Sequence, residues 1–463
     1  MSHTVAVFGG SFNPPGTHHR RIVEALSERF DEVLVVPCGP RPDKSTATSI
    51  DPVHRAAMVD TAFRGFDKVT VDLFDLEQAT FTPTVELAAR YRDRGELWFV
   101  VGSDLVVRGS DGRTELHRWY QGEHIWKELR FAVFTRPGYP VAAADLPPNS
   151  LRIDSNLDGE SSRVRERVFR HETIAELVAP AIEAYISRYR LYRGGLHARS
   201  ARVELGPLRP KVVVDRRNQR AAAMVERLRP LAGGKTDPRD PNCILVVGGD
   251  GTMLRAIHQH WRRRLPMIGL SAGHYGFLLN ALDDVLVDGA GLCTEYIVQH
   301  LPLLYVERAD ADGETRTALA FNDAWVERAT PQTAWIEVAV DGAVRLPRLV
   351  SDGVLVSTAS GSTAYARAMG ATPLRVDTPE LLLVGNNVAA PLGWKSAHLS
   401  LESEIEFRAL DPVKRPVRGF ADGVALGPAR RLRIRRSRIA TVELAFTLER
   451  DLTAKLTDIQ FPG

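Results

Sequence analysis

Residues 4–190 alternate short apolar runs with amphipathic stretches, and this alternation constrains the fold more than any other feature of the chain. Apolar runs of this length are typical of buried parallel strands: TVAVF, EVLVVP, LWFVVGS, LRFAVFTRP and SLRID. The stretches between them have a helical period; in RRIVEALSERF, for example, Ile22, Val23, Leu26 and Phe30 share one face. Repeated β-α units predict a doubly wound α/β domain that binds ligands beyond the carboxyl ends of its strands.

The pattern breaks at residues 192–210, a segment rich in Gly, Arg and Pro without a clear period. A second, shorter α/β pattern then begins with KVVVDRR, CILVVGGDGTM and LPMIGLSAG. From about residue 300 the period becomes two, with hairpin signals such as VAVDGAV. We therefore predict a first domain at 1–193, a linker at 194–209 and a second region at 210–463. In that region an α/β part of about 210–295 precedes a mostly antiparallel β part of about 296–463.

Composition excludes several classes of protein. At 463 residues the chain is too long for one ordinary core. Lys plus Arg total 60 and Asp plus Glu total 57, a balance that gives no reason to expect nucleic acid or an anionic membrane as partner. The arginines of residues 430–436 alternate with Leu432 and Ile434, as on the exposed face of a strand. Three scattered cysteines and the lack of a long apolar run favour a soluble cytoplasmic protein.

The stretch GGSFNPPGTHH, Gly9 to His19, follows the first predicted strand. Glycines let a backbone approach a ligand closely, and the amides at a helix N-terminus point at anions. His18 and His19 lie where the loop becomes a helix, and an imidazole there can donate a hydrogen bond to a phosphate oxygen. A tight turn carrying a solvated histidine pair fits the stretch equally well.

Six segments in order resemble those of the nucleotidylyltransferases, and most closely the nicotinamide or nicotinate mononucleotide adenylyltransferases: GGSFNPPGTHH, RPDKS with HRAAM, FVVGSD, LHRWY, FTRPGYP and ESSRVRE. The resemblance implies a Rossmann-like domain. The reaction implied is adenylyl transfer from ATP to the mononucleotide, with Mg²⁺ on the departing pyrophosphate. His19 and His18 would be catalytic. ATP or phosphate would be bound by Gly9, Gly10, Ser11, Phe12, Lys44, Ser161, Ser162 and Arg165, and the mononucleotide by Arg55, Gly102, Asp104 and Trp119.

The match departs from the family at one catalytic position. Where the family has His-x-Gly-His, this chain has Gly16, Thr17, His18 and His19. The second histidine is kept and the first is replaced by glycine, so His18 is the candidate replacement. Ser161 and Ser162 stand at a predicted helix start, where they cap the helix or bind phosphate. A nucleotide-sensing domain without turnover is the alternative function.

The stretch GGDGTM, Gly248 to Met253, follows the apolar run CILVV. Its glycines predict a loop whose amides surround phosphates. Asp250 would be repelled by a phosphate unless a metal ion lies between them, so we predict that it binds Mg²⁺ or acts as the base for a hydroxyl nucleophile. A plain turn aspartate is the alternative.

The second region resembles the NAD kinases over nearly its whole length, through GGDGT, GLSAGHYGFL, FNDAW, SDGVLVSTASGSTAYARAMG and FADGVAL. The resemblance implies transfer of the ATP γ-phosphoryl group to the 2′-hydroxyl of the adenosine ribose of NAD. Asp250 would be catalytic. The donor phosphates would lie against Gly248, Gly249, Gly251 and Thr252, and NAD against Asn322, Asp323, Asp352, Thr358, Ser362, Thr363, Ala364 and Tyr365. Tyr365 fits a core position equally well. The family's pockets form at subunit contacts, which implies a homo-oligomer.

Together the two resemblances predict a bifunctional enzyme of NAD and NADP synthesis. Its partners would be small molecules, namely ATP, a pyridine mononucleotide and NAD, with no nucleic acid and no membrane. Two other hypotheses are an NAD kinase with a nucleotide-sensing first domain and a nucleotide-binding regulator without activity. The sequence leaves open nicotinamide against nicotinate mononucleotide, and ATP against polyphosphate as phosphoryl donor.

Overall fold

A computed structural model describes residues 3–41, 50–155, 159–195, 197–228, 240–273, 276–287, 291–448, 455–457 and 460. The chain forms two compact units, Met1–Ala198 and Arg199–Gly463. The division falls inside the segment predicted as a linker. Part of that segment, Ser200–Glu204, forms a strand, because Val203 packs into the core of the second unit.

The first unit contains a sheet of six parallel strands in the order β3-β2-β1-β4-β5-β6. The strands are β1 Thr4–Gly10, β2 Glu32–Pro37, β3 Val69–Val71, β4 Glu96–Gly102, β5 Arg130–Phe134 and β6 Ser150–Ile153. This confirms the predicted doubly wound sheet. The strand order reverses between β1 and β4, so a crevice opens at their carboxyl ends, where such sheets bind ligands.

Helices cover both faces of this sheet. They are α1 Thr17–Ser27, α2 Pro52–Phe63, α3 Phe74–Gln78, α4 Thr84–Tyr91, α5 Gly122–Glu128, α6 Ser161–Phe169 and α7 Pro180–Arg188. One core cluster joins Val23 and Met58 to Tyr189, and a second joins Leu34 to Phe131 and Ile125. Helix α2 begins with residues that favour a helix start: the N-cap residue Asp51 accepts a hydrogen bond from the Val53 amide, and Pro52 occupies the first turn.

The second unit contains the remaining elements. Its strands are β7 Ser200–Glu204, β8 Pro210–Val214, β9 Cys243–Gly248, β10 Met267–Ser271, β11 Leu286–Val287, β12 Gly291–Leu292, β13 Glu295–Ala309, β14 Thr315–Ala320, β15 Asp323–Arg328, β16 Ala334–Val340, β17 Ala343–Ser351, β18 Gly353–Thr358, β19 Glu380–Asn386, β20 Ser396–Ser400, β21 Ile405–Ala409, β22 Val417–Ala421, β23 Val424–Pro428 and β24 Arg431–Phe446. Its helices are α8 Gln219–Leu228, α9 Asp250–His260, α10 Leu282–Val285 and α11 Tyr365–Ala368.

Two large sheets build the second unit. A mixed sheet runs β17-β16-β21-β24-β10-β9-β8, and β13 joins it by pairing with β24, β14 and β7. The other sheet is antiparallel and runs β20-β19-β18-β15-β22-β23. A core that includes Ile336, Val354 and Phe407 lies between them. The predicted α/β part and antiparallel part are both present, and the long strand β24 belongs to both, since it pairs with parallel β10 and with antiparallel β21.

The basic cluster at the start of β24 is less exposed than predicted. Its arginines pair with carboxylates at 2.7–3.1 Å: Arg431–Glu307, Arg433–Glu404 and Arg436–Glu402. Arg435 is buried, with its guanidinium 4.4 Å from the ring centre of Tyr305. Ion pairing thus neutralises this strand face, in keeping with its predicted structural role.

Candidate active sites of the two units

The glycine-rich loop of the first unit begins where β1 ends, beside the point at which the strand order reverses. Phe12 adopts a φ of 44°, in the left-handed region that bulky residues rarely occupy. Its side chain is buried and makes edge contacts with Phe8 and Phe63. The predicted contact between Phe12 and ATP is therefore wrong for the side chain, which anchors the loop in the core.

Two arginines hold this loop by its carbonyl groups. Arg55 is only 1% exposed and donates to the carbonyl of Ser11 at 3.0 and 2.6 Å and to that of Cys38 at 2.7 Å. Arg165 donates to the carbonyl of Asn13 at 2.6 Å. The Arg55 guanidinium is buried against two backbone carbonyls and supports the loop, and its contact with the mononucleotide stays a prediction.

The serines that begin α6 do not cap it. The Ser161 hydroxyl donates to the carbonyl of Pro14 at 2.8 Å, and the Ser162 hydroxyl donates to the carboxylate of Glu160 at 2.9 Å. The N-cap residue Glu160 makes no side-chain capping hydrogen bond. Ser161 therefore ties α6 to the glycine-rich loop, and phosphate binding by the two serines stays a prediction. Lys44 lies outside the described residues.

His19 is held in one tautomer by the start of its own helix. Its Nδ1 accepts a hydrogen bond from the Gly16 amide at 3.0 Å. Burial, together with the neighbouring His18 and Arg136, lowers the pKa of His19 well below its usual value. The ring is consequently neutral near pH 7 and carries its proton on Nε2, the nitrogen that can donate to a phosphate oxygen.

The His18 ring occupies the space that a side chain on residue 16 would need. A Cβ on Gly16 would lie 2.7 Å from this ring, and a Cβ on Gly159 would lie 2.4 Å from it. The ring centres of His18 and His19 are 3.9 Å apart. With His18 in this position, residue 16 has no room for a side chain and is therefore glycine.

A cavity of about 370 Å³ opens beside the loop. Trp119 lines it together with Gly9 and Gly10, so the structure brings these predicted residues to one place. Asp104 pairs with Arg136 at 3.1 Å, and a Cβ on Gly102 would lie 2.2 Å from the Asp104 carboxylate, which explains the glycine. Other lining residues, which the sequence motifs did not indicate, lie from α3 to the start of α4: Asp75, Phe81, Thr82 and Thr84.

In the second unit, the GGDGT turn joins β9 to α9. A Cβ on Gly248 would lie 2.7 Å from the Thr252 hydroxyl, so only glycine fits there. The Asp250 carboxylate accepts hydrogen bonds from the amides of Phe277 at 2.9 Å and Leu278 at 3.0 Å. Each of its oxygens keeps a second lone pair for a substrate hydroxyl or a metal ion.

Thr252 supports the turn from inside. Its side chain is buried, its hydroxyl accepts a hydrogen bond from Arg255 at 3.0 Å, and its amide donates to the carbonyl of Gly249 at 2.8 Å. These contacts give Thr252 a supporting role in the turn, and its contact with the donor phosphates stays a prediction. The exposed amide edge of the turn is formed by Gly249 and Gly251.

Asp422 connects α9 to the turn that precedes β15. Its carboxylate accepts hydrogen bonds from three successive amides, at 2.6 Å from Phe321, 2.8 Å from Asn322 and 3.1 Å from Asp323. His258 of α9 binds the same carboxylate at 2.8 Å, and the Asp422 side chain is 1% exposed. The sequence analysis placed Asp422 in an Asp-Gly turn and gave it no role.

The Asn322–Asp323 turn is enclosed on its other side by the GSTAY segment. The Thr358 amide donates to the Asn322 carbonyl at 2.9 Å, and a Cβ on Gly361 would lie 2.2 Å from that oxygen. Asp323 is 3% exposed, and burial together with the Asp422 carboxylate raises its pKa to about 7. The turn therefore carries a carboxyl group that changes charge near neutral pH.

The predicted NAD-binding residues of the GSTAY segment divide into two groups. Thr358 and Ser362 are buried; their hydroxyls donate to the carbonyls of Phe321 at 2.8 Å and Ala359 at 2.6 Å, so these two side chains are structural. Thr363 is half-buried and Ala364 is exposed. Tyr365 is 36% exposed and lies edge-on to Trp325, which excludes the core alternative.

Asp352 lies away from the other predicted NAD contacts. In the β15–β18 ladder Asp323 is opposite Ser357 and Glu327 is opposite Gly353, so Asp352 is at the far end, about 17 Å away at the usual rise per residue. There it pairs with Arg328 at 2.7 Å and accepts a hydrogen bond from Asn387 at 2.8 Å. Asp352 and Asp323 therefore lie at opposite ends of this ladder within one copy of the chain.

Among the described residues there is no group of three or more His, Cys, Asp or Glu side chains that could hold a metal ion. Mg²⁺ often binds through one or two carboxylates together with substrate phosphates, and Asp250 at the GGDGT turn fits that requirement. In the described part of the chain, no helix combines the length and apolar character needed to cross a membrane.

Comparison with known proteins separates the chain into the same two parts. Residues 7–171 match the family described as Cytidylyltransferase-like. Residues 195–284 match the ATP-NAD kinase N-terminal domain. Each match contains the glycine-rich loop and the helix start of its unit.

Full-length relatives match the second unit. The chain is 31% identical over 248 residues to the NAD kinase of Rickettsia bellii, an alignment that covers 53% of this chain and 95% of the relative. It is 36% identical over 220 residues to the NAD kinase of Rhizorhabdus wittichii, covering 47% and 85%. A crystal structure of yeast NADH kinase complexed with NADH superimposes with a TM-score of 0.46 at 17% identity, covering 56% of this chain and 89% of that one.

Proposed function

The chain belongs to the NAD kinase family, and we propose that its second unit transfers the γ-phosphoryl group of ATP to the 2′-hydroxyl of the adenosine ribose of NAD. The observation that carries the proposal is the Asp250 carboxylate, oriented by two backbone amides at a glycine turn beyond the carboxyl end of β9. A phosphate-binding turn and a fixed carboxylate are what this reaction needs at one place, because the nucleophile is a weakly acidic hydroxyl.

In this mechanism the residues of the chain mainly position the reactants. The amides of Gly249 and Gly251 bind the donor phosphates, and Asp250 accepts the hydroxyl proton or holds Mg²⁺. Mg²⁺, when bound, neutralises charge on the donor phosphates. Asn322 and Asp323, held by Asp422, bind the nucleoside of NAD. Most of the rate enhancement would then come from orientation and charge stabilisation.

The first unit, we propose, transfers the adenylyl group of ATP to nicotinamide or nicotinate mononucleotide. The carrying observation is the neutral His19, whose ring centre lies 3.9 Å from that of His18, at the loop that also borders the 370 Å³ cavity lined by Trp119. The mononucleotide phosphate attacks the α-phosphorus of ATP and pyrophosphate leaves, with no covalent enzyme intermediate. His19 would donate from Nε2 to a phosphate oxygen as negative charge develops.

Asp352 supports the proposal of a homo-oligomer. Its place at the far end of the β15–β18 ladder separates it from Asn322 and Asp323 within one chain. The family resemblance implies that Asp352 binds the other end of NAD and that the pocket forms at a subunit contact, where a second copy can supply this residue. We therefore propose that the kinase site is completed across a contact between two copies.

The two activities are tested in one assay series on the full chain. The protein is incubated with ATP, Mg²⁺ and each mononucleotide in turn, and then with NAD and either ATP or polyphosphate, and the products are separated by chromatography. A dinucleotide from one mononucleotide and NADP from NAD are expected. Failure to form a dinucleotide from either mononucleotide would leave the kinase with a nucleotide-sensing first unit.

Single substitutions should separate the sites. His19→Ala should abolish dinucleotide synthesis and leave NAD phosphorylation intact, while Asp250→Asn should do the reverse. If either change removed both activities from a folded protein, the picture of two independent sites would be wrong.

A further inference from the structure

A lysine near the end of the chain contacts the loop that orients Asp250. The Lys455 ammonium donates to the carbonyl of Phe277 at 3.3 Å and to the carbonyl of Leu279. It also lies 4.7 Å from the ring centre of Phe446, the last residue of β24, and the neighbouring Leu456 is buried. Residues 455–457 are thus packed against the second unit at the loop that follows β10.

The same loop supplies both amides that bind the Asp250 carboxylate. The Phe277 carbonyl and the Leu278 amide belong to one peptide group, so Lys455 binds one side of this group and Asp250 binds the other. A cation at the carbonyl polarises the peptide and strengthens its N–H as a donor. Lys455 and Asp250 are therefore joined through a single rigid, planar unit.

The far end of the loop has a separate anchor. The Asn280 side chain donates to the carbonyls of Gly269 and Ala445 at 3.0 Å, and its oxygen accepts a hydrogen bond from the Thr447 amide at 3.2 Å. Asn280 fixes the loop where it leaves the Asp250 region, while Lys455 fixes the peptide group that contacts Asp250. Loss of Lys455 should therefore disturb the orientation of the Asp250 carboxylate more than it disturbs the rest of the unit.

We propose that Lys455 is a positioning residue of the kinase site, which acts on Asp250 through the peptide group between Phe277 and Leu278. This inference rests on the proposed kinase function for its kinetic consequence, and on geometry alone for its structural one. Lys455 acts on the peptide group that orients Asp250, so its removal should change the turnover rate more than the affinity for NAD.

The kinetic test uses Lys455→Met, which keeps the length of the side chain and removes its charge. We expect kcat for NAD phosphorylation to fall roughly tenfold, equivalent to about 1.4 kcal/mol, with less than about a twofold change in KM for NAD. Lys455→Arg should restore most of the rate, and Lys414→Met, at an exposed lysine of the same unit, should leave it unchanged.

Amide hydrogen exchange tests the structural part without relying on activity. In Lys455→Met the amides of Phe277 and Leu278 should exchange faster than in the parent, whereas Lys414→Met should not change them. Unchanged exchange at both amides, or a kcat for NAD phosphorylation in Lys455→Met equal to that of the parent, overturns the inference. A parent chain that forms no NADP counts against the proposed kinase instead, and exchange still decides the role of Lys455.

Discussion

Replacement of Asp422 by asparagine should destabilise the second unit and weaken its binding of NAD. One carboxylate oxygen accepts from the amides of Asn322 and Asp323, and the other accepts from the Phe321 amide and His258. Asparagine offers a single acceptor oxygen. In its better orientation it keeps the first pair and turns an NH₂ group towards the second.

The expected loss of stability depends on whether each donor that loses its acceptor can form another hydrogen bond. His258 is one-third exposed at its side chain, so it can change tautomer and accept from the new NH₂ group, or turn to water. The Phe321 amide would face the buried NH₂ group of the new asparagine and have no acceptor, which costs about 1–3 kcal/mol of folding free energy. The lost charge assistance on the remaining amides adds to this. We therefore expect a loss of about 2–4 kcal/mol.

The assay is thermal unfolding of the full chain at pH 6, where Asp323 is mostly protonated and its coupling to Asp422 is small. The transition of the second unit should move down by roughly 4–16 °C, at 2–4 °C per kcal/mol for a unit of this size. Steady-state kinetics should show a raised KM for NAD, because the Asn322–Asp323 turn loses part of its support. The same protein should keep dinucleotide synthesis.

Asp377→Asn is the matched control, since Asp377 is 55% exposed at its side chain and forms an ion pair with the nearby Arg375 at 2.9 Å. Its transition should stay within about 2 °C of the parent. If Asp422→Asn unfolded at the parent temperature and bound NAD equally well, the four hydrogen bonds to this carboxylate would not be supporting the turn.

Two further predictions concern ionisation and the altered histidine motif. Asp323 has a pKa of about 7 in the folded protein and about 3.9 in the unfolded chain, so the native state binds an extra proton between these pH values. The free energy of unfolding should therefore fall by at most about 4 kcal/mol as pH rises from about 4 to about 7. Urea midpoints at several pH values should show this slope in the parent, and Asp323→Asn should lose it. Gly16→His alone should impair dinucleotide synthesis, because the new side chain would clash with the His18 ring. Gly16→His combined with His18→Gly restores His-x-Gly-His and should retain the activity. Equal rates for the parent and His18→Ala would show that His18 does not replace the first histidine of the family motif.

The sequence predicted strands where burial produces a continuous apolar run and missed them where it does not. All five apolar runs of the first unit contain strands. β1, β2 and β5 are apolar at nearly every position because both of their faces are covered. β3 has only three half-exposed or exposed residues, VTV, and gives no such signal. β7 was concealed by the glycine and proline around it, although Val203 packs into the core.

The glycine turns were predictable and the supporting polar residues were not. Gly248, Gly361 and Gly102 are required because a Cβ would collide with a neighbouring atom, so the motif itself carries the geometry. Ser362 follows Gly361 in its motif and Arg55 belongs to the HRAAM segment, but both are buried. A motif cannot tell a residue that contacts the ligand from one that holds the loop. That distinction depends on packing between segments that are distant in sequence.

Asp422 shows how far that dependence reaches. Its donors lie about 100 positions away at Phe321–Asp323 and 164 positions away at His258, so no local pattern can reveal the contact. In both units the supporting residues of this kind bind backbone groups of a loop, whereas the groups proposed to meet phosphates lie on the glycine turn itself. Each turn starts from a strand of its own sheet, at the end of β1 or of β9. A support lost in one unit should therefore reduce one activity and spare the other, which is why the rate of dinucleotide synthesis serves as the internal control for every kinase variant proposed above.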